Sequence, residues 1–220
     1  MAWIPVWIIL GLPALFVVLH TVLRIVRRFY KFPMPEFLAG LIDNPIRRKI
    51  QPPDATAVRH GIEPGMTVLE VGPGSGTYTV AAARRAGSGG RLSTVDIEPK
   101  MIERIRRRIR AEGIANVDAR VADVYDLPFA DGEFDLAYLI AVIGEIPDPV
   151  RAMKEFRRVL KPSGTLVFSE LLPDPDYPAA ASLIRKAEAA GFRLKRRIGN
   201  VFHYTLIFEP AAGPVKVATC

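Results

Sequence analysis

Three carboxylates and three glycines carry the chemistry open to this sequence. Gly72, Gly74 and Gly76 stand at every second position after the apolar run "TVLEV", and a helix-like run follows from Thr77. Glycine lets a backbone turn tightly and approach a ligand closely. Glu70 immediately precedes the loop, Asp96 ends a second strand-like run twenty residues after Gly76, and Asp123 ends a third. A carboxylate at Glu70 is a poor neighbour for a pyrophosphate and a good one for an ammonium group. One at Asp96 can accept hydrogen bonds from both hydroxyls of a ribose, and one at Asp123 can reach the exocyclic amine of an adenine. The G-x-G-x-G spacing lacks the further spacer of a dinucleotide loop and the Gly-Lys-Ser/Thr ending of a triphosphate loop.

These residues need a scaffold, and the chain writes one from residue 61 onward. Apolar, β-branched runs at 67–71, 91–96, 117–123, 134–143 and 165–170 alternate with helical patterns at 77–87, 99–113, 148–164 and 179–191. Pro99 opens the second of these helices and Gly113 closes it, with Met101, Ile102, Ile105 and Ile109 on one face. Two final strands, 192–198 and 201–208, meet at Gly199-Asn200, a hairpin signal. Alternating strands and helices imply a doubly wound α/β sheet, mostly parallel, covered on both faces. The terminal hairpin makes one late strand antiparallel. Ligands of such sheets lie beyond the carboxyl ends of the strands, where the strand order reverses.

An ammonium, a ribose and an adenine without phosphates describe S-adenosylmethionine. The stretches "VLEVGPGSG", "VDIEPKM", "VADVYDLPFADGEFDLAYL" and "EFRRVLKPSGTLVFSE" resemble, in order and spacing, the class I S-adenosylmethionine-dependent methyltransferases, in the subgroup (type 11) that is like quinone-biosynthesis enzymes. The resemblance covers about 51 to 209. It implies a seven-stranded Rossmann-like sheet with the last-inserted strand antiparallel, and S-adenosylmethionine as cofactor. Carried onto this chain, it implies that Glu70, Gly72, Gly74, Ser75, Gly76, Asp96, Ile97, Met101, Asp123, Val124 and Ile140 hold the cofactor. It also implies that the strand "LAYLIAVIGEIPDP" ends at the transferred methyl, where Tyr138 and Glu145 are catalytic candidates; His203 on the last strand is a third. Ser163 departs from the family's frequent glycine in that turn. No metal is expected, since His20, His60 and His203 are scattered and the single cysteine, Cys220, is terminal. A hydride-transfer enzyme would commonly need a Tyr-x-x-x-Lys pair, and none of the six tyrosines has a lysine four residues later.

The N-terminus adds a location. From Ala2 to Leu23 no residue carries a formal charge if His20 is neutral; Arg24, Arg27, Arg28 and Lys31 follow. About 20 helical residues span a bilayer's hydrocarbon. A cleaved leader would carry its charges before the apolar run. One transmembrane helix is therefore expected, single-pass, with the catalytic domain on the cytoplasmic side. Trp3 and Trp7 suit the outer interface, Phe29 and Tyr30 the inner one. The expected organisation is an anchor with its basic flank (1–30), a proline-rich connector (31–60), the methyltransferase domain (61–209) and a tail (210–220).

The net charge of +7 points to anionic partners, and the basic cluster Arg47, Arg48 and Lys49 suits anionic lipid. The arginines at 104, 106, 107, 108 and 110 read as a solvated helix face, and no nucleic-acid partner is expected. The expected function is methylation of a small, lipophilic acceptor, a quinone precursor or lipid. The alternatives are a binding module without turnover, or a methyltransferase acting on protein or nucleic acid. Oligomeric state is not legible in the sequence.

Overall fold

The structure is a computed structural model that describes residues 6–29, 45–172 and 174–211, and within the first helix the side chains of 11, 14, 15 and 17–27. The expectations for Trp3, Tyr30, the 31–44 part of the connector and the end of the tail lie outside these residues, as do those for the side chains of Trp7 and Phe29. Helix α1 runs Val6–Phe29, α2 Pro45–Ile50 and α3 Pro53–His60. Strand β1 is Thr67–Val71, helix α4 Thr77–Ala86, β2 Arg91–Asp96, α5 Pro99–Ala111, β3 Val117–Val121 and β4 Phe134–Ile140. Then come α6 Pro149–Val159, β5 Leu160–Leu171, α7 Ala180–Ala189, β6 Phe192–Gly199 and β7 His203–Pro210.

One seven-stranded sheet has the order β3-β2-β1-β4-β5-β7-β6. Every pair from β3 to β5 is parallel, and β7 is antiparallel to both β5 and β6. The Rossmann-like arrangement read from the sequence is present, with the antiparallel strand where the terminal hairpin required it. Side chains alternate between the sheet's faces. Leu69, Val71, Leu139 and Phe168 pack on one side with Met153 and Phe156 of α6 and Leu183 of α7. Val68, Leu136, Tyr138 and Val167 pack on the other with Ala57 of α3 and Ala82, Ala83 and Ala86 of α4. The strand order reverses between β1 and β4, so the glycine loop after β1 opens onto that switch point.

Several boundaries differ from the sequence reading. The connector is partly helical: α3 starts with Pro53 at its first turn, ends at Gly61 (φ +85°) and buries Thr56, Ala57 and His60. Packing on the sheet thus begins before residue 61. Strand β4 stops at Ile140, not 143, because Ala141 takes a left-handed conformation (φ +56°) that no strand accommodates. Helix α6 stops at Val159, and Leu160 is already extended and paired with Phe134. The hairpin loop takes in Asn200 to Phe202, with the Asn200 Oδ1 accepting from the amides of Phe202 and His203. Strand β7 therefore starts at His203 rather than 201.

The transmembrane helix expected at the N-terminus is not found: among the described residues no helix is long and apolar enough to cross a membrane. Much of the uncharged run lies at positions of α1 whose side chains are outside that set. The side chains that are described include Leu15, Val17, Val18, Leu19, Val22, Ile25 and Val26, all exposed.

Candidate functional site

The carboxyl ends of β1, β2 and β4 and the segments that follow β1 to β4 line a cavity of about 340 Å³ at the switch point. Its floor is the glycine loop. Gly74 (φ +54°) has open space where a Cβ would stand, so the backbone there is bare to the cavity. Gly72 (φ +70°) lies where a Cβ would collide with Val142, which brings the loops after β1 and β4 together. Gly76 has another task. It caps α4 in a left-handed conformation (φ +79°), and a Cβ there would sit 2.7 Å from Ile105 Cδ1 of α5. It is a packing glycine and is not in the cavity wall. Arg108 of α5 braces the same corner, donating to Ser75 O at 2.8 Å and Thr77 Oγ1 at 3.0 Å.

The three acids line the cavity, Glu70 and Asp96 from β1 and β2 and Asp123 from two residues past the end of β3. Glu70 is buried, and both its oxygens are held: Thr79 Oγ1 donates to Oε2 at 2.6 Å and the Tyr138 hydroxyl to Oε1 at 2.8 Å. Burial raises its pKa, against the pull of these hydrogen bonds. A ligand ammonium would offset the cost of keeping it charged. Asp96 accepts from the Glu98 amide at 2.9 Å, and burial pushes its carboxyl up to about 6. Asp123 is exposed and accepts from the Tyr125 amide at 2.9 Å. Ile97, 54% exposed, Met101 and Val124 form apolar wall between Asp96 and Asp123, a surface for a flat ring. The residues present fit S-adenosylmethionine: a carboxylate for its ammonium, one for its ribose, one for its adenine amine, and a bare backbone at Gly74 for close approach.

Beyond the acids the wall becomes Ile140, Ala141, Val142, Glu145, Ile146 and Pro147. A left-handed non-glycine residue stores strain, and such residues cluster at functional sites. Ala141 is anchored by its amide to Ser169 O at 2.9 Å. Of the expected catalytic residues, Glu145 faces the cavity and Tyr138 meets it with its hydroxyl committed to Glu70. His203 is not among the lining residues. Its Nε2 lies 3.1 Å from Arg59 Nη1, and burial followed by the Arg59 charge lowers its pKa. Arg59 can only donate, so this nitrogen is the acceptor. Glu170, at the end of β5, is buried and also outside the wall.

Sequence reasoning missed Arg47 and Tyr78 in the wall. Arg47 of α2 stands over the Tyr78 ring, 5.8 Å from its centroid, and the Tyr78 hydroxyl donates to Gln51 O at 3.0 Å. The basic cluster pointed only to lipid, and nothing in a proline-rich stretch marks a cavity residue. Of the α5 arginines, Arg106 and Arg108 bond to backbone carbonyls of this chain.

Residues 69–168 match the family model described as "Methyltransferase domain". An uncharacterized 37.1 kDa protein of a Streptomyces fradiae transposon is 37% identical over 113 residues, 51% of this chain and 32% of that protein. The ubiquinone/menaquinone biosynthesis C-methyltransferase UbiE of Idiomarina loihiensis is 31% identical over 142 residues, 64% of this chain and 55% of that protein. The chain thus spans a third to about half the length of these curated relatives. The crystal structure of an S-adenosylmethionine-dependent methyltransferase from Aquifex aeolicus superposes with a TM-score of 0.75 at 22% identity, over 80% of this chain and 98% of that one. That likeness is one of fold.

Proposed function

We propose that this protein is an S-adenosylmethionine-dependent methyltransferase that methylates a ring carbon of a small, lipophilic, quinone-type acceptor at a membrane. One observation carries the reading: a single cavity runs from the three cofactor acids to an apolar end closed by Ile140, Val142, Ile146 and Glu145. The UbiE relatives support the acceptor class, and the location rests on the uncharged N-terminal run together with the exposed apolar residues of α1.

S-adenosylmethionine supplies a methyl group already activated by a positive sulfur. This chain supplies position, worth about 7–11 kcal/mol where alignment is good. Glu70, fixed by Thr79 and Tyr138, holds the ammonium end. Asp96 takes the ribose hydroxyls and Asp123 the adenine amine. The strained turn at Ala141 sets the height of the wall where the acceptor meets the methyl. Methylation of a ring carbon displaces a proton, and Glu145 is the carboxylate at the acceptor end of the cavity that can hold it.

The test is methyl transfer. Full-length protein is incubated with methyl-labelled S-adenosylmethionine and a bacterial lipid extract, and label is followed into the organic phase. We expect labelled quinone-type lipid with the wild type and a loss of about a hundredfold in rate with Glu145→Gln. No labelled lipid from a protein that binds the cofactor would overturn the acceptor class.

A further inference from the structure

We propose that Arg27 is a positioning residue for the acceptor end of the cavity, coupling α1 to Glu145. Arg27 lies near the end of α1 and is only 2% exposed, although its helical neighbours Ile25 and Val26 are 54% and 43% exposed. Its Nε donates to Asp176 Oδ2, and its Nη2 lies 3.5 Å from Glu145 Oε1. Three residues earlier, Arg24 donates to Tyr177 O at 3.2 Å. Positions three apart share a helix face, so both arginines hold the turn that follows β5.

That turn and the Glu145 loop are packed backbone to backbone. A Cβ at Gly144 would collide with Asp176 O, so the two backbones lie close together. The turn is closed on itself by the Asp176 amide to Asp174 Oδ1 at 2.8 Å and tied to the β6–β7 loop by the Tyr177 hydroxyl to Val201 O at 2.6 Å. Glu170, Asp174, Asp176 and Glu145 crowd this corner, and Arg27 and Arg47 are among the cations that face them. Removing a buried cation from such a group leaves carboxylates repelling one another in a medium that screens poorly. Glu145 would then lose its place in the cavity wall. The same helix carries the exposed apolar face, so an arrangement of α1 set by lipid reaches Glu145 through Arg27. This coupling rests on the membrane reading given under the proposed function; the positioning of Glu145 does not.

The experiment is hydrogen exchange on the full chain, in detergent and on phosphatidylcholine vesicles with a minority of phosphatidylglycerol. Flotation and S-adenosylmethionine calorimetry are run alongside. In detergent we expect Arg27→Gln to raise exchange across 141–147 and 174–177 by about fivefold or more, with 117–123 unchanged, and Arg27→Lys to recover part of it. Cofactor affinity should stay within about twofold. On vesicles the wild type should protect both segments further, and Arg27→Gln should float but lose that protection. If Arg27→Gln does not fold, Asp176→Asn, which keeps the guanidinium, should loosen the same two segments. Unchanged exchange in the folded variants would overturn the positioning role. Flotation without added protection in the wild type, or protection kept by Arg27→Gln, would overturn the coupling. Failure of the wild type to float would overturn the membrane reading and the coupling, and leave the detergent result standing for Glu145.

Discussion

Tyr138 gives its phenolic hydrogen to Oε1 of Glu70 across 2.8 Å, from the middle of the sheet to the edge of the cavity. Both residues are buried, at 1% and 2% exposure, so the bond has no competition from solvent. Tyr138 acts through Glu70. Tyr138→Phe keeps the ring packed against His60, whose centroid is 5.1 Å away, and removes only the hydroxyl. A buried acceptor left without its donor costs about 1–3 kcal/mol. We expect calorimetry to show S-adenosylmethionine binding weakened by roughly tenfold, since Glu70 is then free to turn from the ammonium. Unchanged affinity would remove Glu70 from the cofactor site.

The pH dependence of binding should follow Asp96. Burial lifts its pKa from 3.8 to about 6 in the free protein. Ribose hydroxyls donate best to the ionised carboxylate, so affinity should rise with pH through about 6 and fall by roughly tenfold one unit below it. Stability of the free protein runs the other way. The folded state holds this proton more tightly than the unfolded chain, so the contribution is present at low pH and is lost as pH rises from 3.8 through about 6. Asp96→Asn should bind more weakly at neutral pH and with little pH dependence. A variant that titrates like the wild type would place the ionisation elsewhere.

His60 should make the fold sensitive to acid. Its Nε2 sits 2.8 Å from Ser169 Oγ, which in turn is 2.8 Å from Thr205 Oγ1, and burial lowers its pKa from 6.5 to about 3. The unfolded chain takes up this proton more readily. The contribution is therefore fully present above 6.5 and is lost as pH falls toward 3, amounting to roughly 4–5 kcal/mol at its limit. Thermal melts of His60→Gln should show a lower Tm at neutral pH and a shallower fall between about pH 6.5 and 4 than the wild type. Parallel curves would mean that another group drives the acid transition.

The sheet and the three acids that line the cavity were legible because each is a local pattern. Apolar runs of five to seven residues declare strands, and Glu70, Asp96 and Asp123 each end one or follow it closely. The antiparallel β7 and the seven-strand count followed from the resemblance and the hairpin, whereas the strand order is set by pairings the sequence does not spell out. What escaped was made by contacts distant in sequence. Arg27 meets Asp176 across 149 positions, and nothing near either residue announces the other. Arg47 enters the cavity wall because α2 lies against Tyr78, in a stretch whose prolines read as linker. Ala141 was hidden for the opposite reason. An alanine amid "LIAVI" looks like strand, and its positive φ lies in no pattern a sequence shows.

Two glycines of one loop should fail in different ways. Gly76 has φ +79° and its absent Cβ would press on Ile105, a side chain with no exposure in the α5 interface. Gly76→Ala adds left-handed strain of about 1 kcal/mol and overpacking of about 1–3 kcal/mol, so the loss should appear as stability, a Tm lower by several degrees. Gly74 has φ +54° with nothing within 4 Å of the same position. Gly74→Ala carries the strain without the collision, and its methyl group points into the space where S-adenosylmethionine approaches the backbone. Here the melt should fall little, while cofactor affinity drops by roughly tenfold or more. Melting and calorimetry on the pair separate a glycine that lets two helices meet from a glycine that lets a ligand in. If both variants lost stability alike and bound alike, the loop would be geometry of the fold and the cofactor would rest on the three carboxylates alone.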